Sequence, residues 1–300
     1  RWREAAAQLA QAAECFERAG DGAGRFEALA ARSQVLVYCD LGDEALACAR
    51  AAQQAAVEPG QQVRAAVALT QLLVHRGDIN DALATADAGM ALARACNDRA
   101  AECRLAVAAS GCLCDLQRAC EALALLEPLR GWLEANGAPA DRCEFLIALG
   151  LALDQSSRLS EARSVLEQAC ELARSAGLTE LLSEATSNLA STHAKMGRVR
   201  RAAELGAEAL ELMRTDTSLS GRPLQSQLML AHRLRDLGRY AQALPLFEHS
   251  LTAFRADGSR YWIAAAELLL DAASEVAARA PASAAAWLDV ASAIVPHRPE

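Results

Sequence analysis

An alanine recurs at Ala5, Ala45, Ala82, Ala122, Ala162, Ala202, Ala243 and Ala284, at the start of a helical pattern that follows a short turn, with intervals of 40, 37, 40, 40, 40, 41 and 41 residues. A period near forty that runs the length of the chain predicts a linear array whose units pack on their neighbours. Other positions keep the same phase. Ser33, Thr70, Ser110, Gly150, Ala190, Ala231 and Ala272 stand before the turns, and Ala12, Ala52, Gly89, Leu129, Ala169, Ala209, Ser250 and Ala291 stand after the marker alanines. All but Leu129 are small, as two helices require if they are to approach closely and interlock ridge into groove.

The period fits helix pairs, because two helices of about 16 residues with two short connections total about forty. Turn residues collect at Glu58-Pro59-Gly60, Asn97-Asp98, Ala135-Asn136-Gly137-Ala138-Pro139, Ser175-Ala176-Gly177, Thr215 to Pro223 and Ala256-Asp257-Gly258-Ser259. No segment alternates with the two-residue rhythm of a half-buried strand. The spacing predicts first helices over 25–39, 61–76, 100–116, 141–156, 179–196, 222–237 and 260–278. Second helices are predicted over 2–19, 43–57, 79–95, 119–135, 159–175, 199–214, 240–256 and 282–295. The expected fold is all-α, a right-handed α-solenoid of seven to eight antiparallel helix pairs forming one domain over 1–300. Both ends read as cuts through a longer array. Arg1 starts directly on a second helix, and the last helix offers Trp287, Leu288, Val290 and Ile294 without a polar cap.

Composition narrows the function classes. Apolar residues make up 53% and aromatics only 4%, so close helix packing rests on alanine and leucine. A net charge of −8 provides no basic field for a polyphosphate, which argues against direct nucleic-acid binding. Apolar runs such as Phe145 to Leu153 fall short of the roughly 18 residues that a membrane span requires. Ten cysteines lie mostly inside apolar helical patterns, where a free thiol packs as a small hydrophobe, and a reducing cytoplasm is expected. A thiol redox or metal sensor built on Cys103, Cys112, Cys114 and Cys120 is a weaker alternative, since the cluster has no Cys-x-x-Cys and no nearby histidine.

The repeat resembles the tetratricopeptide (TPR) superfamily. The pattern of leucine, small residue, turn glycine, alanine and a second alanine is carried by Asn188-Leu189-Ala190, Gly197, Ala202 and Ala209. It is carried again by Leu230-Ala231, Gly238, Tyr240, Ala243 and Phe247. Repeats of about forty residues are similar to those of kinesin light chains and of the sensor arms of large bacterial regulators. The resemblance implies protein or peptide ligands in a concave groove lined by first helices, often held by an asparagine nine residues before the turn glycine. Asn188 matches that position, whereas Ala31, Ala68, Ala108, Ala148 and Met229 occupy it in other repeats.

Catalytic motifs are missing from the sequence: there is no Gly-rich phosphate loop, no Gly-x-Ser-x-Gly and no His-Glu-x-x-His. No catalytic residue, metal ligand or cofactor is assigned. Counting from the turns, Asn188, Lys195, Gln225, His232 and Arg235 form a donor-rich patch facing the groove in the fifth and sixth repeats, with Arg64, Gln71 and Arg104 facing it earlier. Such a patch suits a carboxylate or a backbone carbonyl, although ordinary solvation of a wide groove explains the same residues. The expected function is a non-enzymatic protein- or peptide-interaction or ligand-sensing arm of a larger cytoplasmic bacterial signalling or transcription-regulatory protein, receiving a peptide, a protein or a small-molecule inducer. A stand-alone scaffold for complex assembly is the alternative.

Overall fold

A computed structural model describes residues 2–37 and 41–215, together with residues 230, 231, 234, 239, 242, 243, 245, 246, 281, 285 and 288. The chain divides into two compact units, 1–137 and 138–300. In the first, α1 (Trp2–Ala19) precedes the pairs α2 (Gly22–Val37) with α3 (Gly42–Ala55) and α4 (Pro59–Arg76) with α5 (Ile79–Ala95). A third pair joins α6 (Arg99–Asp115) to a second helix built from α7 (Ala119–Leu126), a 3-10 turn (Glu127–Leu129) and α8 (Arg130–Asn136). In the second unit, α9 (Pro139–Gln155) pairs with α10 (Leu159–Ser175) and α11 (Thr179–Lys195) with α12 (Val199–Thr215). The architecture is all-α, with helices packed in successive antiparallel pairs as a solenoid.

Predicted and observed helices agree to within three residues, with one exception. The helix expected over 119–135 is interrupted at Glu127-Pro128-Leu129. Pro128 has no N–H to donate, and its ring clashes with the carbonyl four residues back, so the last turn of α7 tightens into a 3-10 turn before α8 resumes. The helices expected over 222–237, 240–256, 260–278 and 282–295 fall largely outside the described residues.

The turns between helices share one closure. Gly77, Gln117, Ser157 and Gly197 all have positive φ, 77°, 60°, 60° and 74°. The next N–H in each case donates back to the carbonyl five residues earlier, Asp78 to Leu73 at 3.0 Å, Arg118 to Leu113 at 2.8 Å, Arg158 to Leu153 at 2.9 Å and Arg198 to His193 at 2.8 Å. This is the Schellman arrangement, which satisfies carbonyls that the helix end would leave orphaned. Because the backbone solution is identical, each second helix leaves its partner along the same path.

Packing follows the marker residues. Ala45, Ala82, Ala122, Ala162 and Ala202 are fully buried, and Ser33, Thr70 and Ser110 are buried at the crossing position of the first helices. One core cluster joins Leu46 and Ala49 of α3, Leu69 and Leu73 of α4, Ala82 of α5 and Cys112 of α6, so apolar burial is continuous from one pair to the next. Within a unit, successive first helices also touch, α4 with α6 and α9 with α11, while no comparable contact joins successive second helices among the described residues. The first helices therefore crowd together and the second helices splay, which makes the first-helix side of each unit its inner side. Among the described residues, no helix is long and apolar enough to cross a membrane.

Candidate ligand-binding face

The inner face of each unit is read by register from the turns. Thirteen residues before the turn position stand Glu27, Arg64 and Arg104 in the first unit, and Glu144 and Glu184 in the second. Arg64 on α4 is not a free donor. Its guanidinium donates to both carboxylate oxygens of Glu27 on α2, at 2.5 and 3.3 Å, and lies over the Phe26 ring at 5.0 Å from the centroid. The pair clips neighbouring first helices together at an exposed position, where such contacts contribute under about 1 kcal/mol. Arg104 on α6 is exposed and has no partner among the described residues. Gln71 is exposed on α4.

In the second unit Asn188 sits half-buried in the middle of α11, and its amide makes no hydrogen bond among the described residues. Lys195 lies near the C-terminal end of the same helix, two turns further on and half exposed. Its ammonium is not free: it donates to Asp154 of α9, whose side chain is 6% exposed. The Thr192 hydroxyl donates to the other Asp154 oxygen at 2.8 Å and lies 3.1 Å from the Asn188 carbonyl. Asp154 is thus a buried carboxylate with both oxygens satisfied, and it anchors α11 to α9 across the inner face. Nearby, Gln155 Oε1 and Ser156 Oγ are buried without a partner among the described residues.

Register places Lys195 on this face, whereas Asp154 and Thr192, which share the contact with it, do not follow from register. The positions equivalent to Asp154 carry Val74, Cys114 and Ala194, so a carboxylate there is out of place on apolar grounds alone. Gln225, His232 and Arg235 lie outside the described residues.

Several buried cysteines are chemically quiet. Burial pushes the Cys112 and Cys114 thiols up to about 11 and Cys143 up to about 12, with neighbouring acidic groups adding to it. Thiols of that kind stay protonated and are poor nucleophiles and ligands at neutral pH. Cys103 is buried as well, and Cys120 is exposed. Among the described residues, no group of three or more His, Cys, Asp or Glu side chains is placed to hold a metal ion.

No family model matches the sequence, and no curated protein matches it. Solved structures do share its fold. A Rap protein complexed with competence and sporulation factor superposes with a TM-score of 0.69 at 10% identity, covering 98% of this chain and 88% of that one. NprR in complex with its cognate peptide NprX gives a TM-score of 0.66 at 15% identity, covering 89% and 77%. Aspartyl phosphate phosphatase F from Bacillus subtilis gives 0.62 at 11% identity, covering 92% and 69%. Likeness at this level of identity speaks for the fold alone, and that fold is the TPR-like repeat fold.

Proposed function

We propose that the chain is a peptide- or protein-recognition arm of a larger bacterial regulatory protein of the cytoplasm, with the ligand lying along the first-helix face. The observation that carries this reading is Asn188. On a half-buried site of the inner face, its side-chain amide has a donor and an acceptor unused among the described residues, and those groups match the N–H and C=O of an extended peptide backbone. Lys195, held by Asp154 two turns along the same helix, keeps further N–H donors of its ammonium at a set place. Gln225, His232 and Arg235 are proposed to extend that contact surface, and Gln71 and Arg104 to serve the first unit, with Arg64 contributing through its pair with Glu27. A small-molecule inducer is the other ligand class such a face accepts. The likeness to NprR bound to its peptide supports the reading.

The arm is read as non-catalytic. A phosphatase shares the fold, so the fold itself does not decide the matter.

Selection of linear peptides from a displayed random library, followed by calorimetric titration of the best binder, tests the proposal. Asn188→Ala is expected to weaken binding by about tenfold or more with an unchanged melting curve. A selected peptide that binds Asn188→Ala and Arg104→Ala variants as tightly as the parent removes the first-helix face as the site.

A further inference from the structure

The opposite side of the first unit carries a groove between two successive second helices, floored by the first helix between them. In the first unit it is a cavity of about 310 Å³ between α3 and α5, floored by Leu69 and Leu73 of α4. Arg50 of α3 and Asp81 of α5 face each other across it at 3.8 Å, which draws its rims together. A groove of similar make in the second unit lies between α12 and Gln242, Pro245 and Leu246, floored by Leu230 and Leu234, and measures about 770 Å³. Five residues after the marker alanine, Arg50 is replaced by Ala207. One residue before it, Asp81 is replaced by Gln242. The closing pair is absent at those two positions, and Ala203, Ala207, Pro245 and Leu246 make the wall apolar.

Charge at this groove has one sign left over. Glu204 is engaged by Arg201 at 3.1 Å, whereas Arg200 and Arg239, both exposed on the lining, have no ion-pair partner among the described residues. An apolar trough lined by Arg200 and Arg239, neither ion-paired among the described residues, complements a ligand that is apolar on one face and acidic at its edges. We propose that this groove is a docking site for an acidic amphipathic helix of a partner protein. The site is independent of the first-helix face and does not rest on the function assigned to it.

The test uses the full chain and a fluorescein-labelled synthetic helix of about 15 residues with leucines on one face and glutamates flanking them. A twin peptide carries lysines in place of the glutamates. Fluorescence anisotropy should show the acidic peptide binding about tenfold or more tightly than its twin, with a loss of similar size in Arg200→Glu/Arg239→Glu. Ala207→Arg/Gln242→Asp rebuilds the closing pair of the first unit and should also weaken binding about tenfold, with the circular dichroism spectrum unchanged. Asn188→Ala should bind the acidic peptide as the parent does. No binding, equal binding of both peptides, undiminished binding to the closed variant, or sensitivity to Asn188→Ala would each overturn the proposal. So would a chain that binds laurate but not the peptide, since the groove would then serve a small amphiphile.

Discussion

A Cβ built on Gly150 of α9 would lie 2.6 Å from Leu166 Cγ of α10. The helices of that pair thus meet at a separation only glycine permits, and Leu166 fills the space where a side chain would stand. Gly150→Leu is expected to destabilise the protein by about 1–3 kcal/mol through overpacking, and Ala202→Leu, at a fully buried site, by a similar amount. Gly111 of α6 is the control, because a Cβ there meets nothing within 4 Å. Gly111→Leu should stay within about 0.5 kcal/mol of the parent or raise its stability through helix propensity. Urea melts that rank the three variants otherwise would place the crossing points elsewhere.

The left-handed turn residues make a prediction of opposite sign. Gln117 and Ser157 hold φ of 60° at the position that Gly77 and Gly197 hold in neighbouring repeats. A side chain in that conformation costs about 1–2 kcal/mol, partly offset by the lower backbone entropy of a non-glycine residue in the unfolded chain. Gln117→Gly and Ser157→Gly should each stabilise by about 0.5–1 kcal/mol, measured as a rise in the urea midpoint at constant slope. A fall in either midpoint would mean that the side chain contributes something the turn geometry does not reveal.

Helix order and packing register were legible because alanine and small residues mark the crossings, and steric constraints of that kind repeat wherever the same backbone repeats. Gly150, Ala162 and Ala202 show their role by residue type alone. The break at Pro128 has its cause in a single residue, which the alanine period does not register. The binding face was less legible. Exposure of Arg64 and Lys195 follows from register, but their pairing with Glu27 and Asp154 depends on how two first helices lie side by side, which a one-dimensional count does not contain. Buried polar residues such as Asp154 carry such information only when they are compared with the apolar residues at the same place in other repeats.

Asp154 gives the second unit a directional contact that apolar packing lacks. Removing Lys195 leaves a carboxylate, 6% exposed, with Thr192 as its remaining donor. A fully buried pair broken in this way loses about 3–5 kcal/mol, but the half-exposed ammonium and access of water on its side reduce the expected cost of Lys195→Met to about 1–2 kcal/mol. Asp154→Val, which restores the residue found at Val74, should recover most of that loss in the Lys195→Met background. Simple additivity of the two changes in a double-mutant cycle would show that the contact carries no coupling.

His193 occupies the place that Leu73, Leu113 and Leu153 fill in earlier repeats, and it is buried with Nδ1 lacking a partner among the described residues. Burial lowers its pKa below the ordinary 6.5. Arg198, Arg201 and Arg163 push in the same direction, and Glu167 opposes them. Above the unfolded value near 6.5 both states are neutral, and the site adds no pH dependence. As the pH falls through that value, the unfolded chain binds a proton that the folded chain refuses, so stability declines until the lower folded pKa is reached and then levels off. His193→Leu should abolish this part of the acid-side decline while leaving stability near pH 7.5 equal to the parent's or higher, since an unpartnered buried nitrogen is removed. Urea midpoints of parent and variant at about pH 7.5 and about pH 5.5 measure the difference directly. Parallel declines in the two proteins would assign the acid sensitivity to groups other than His193.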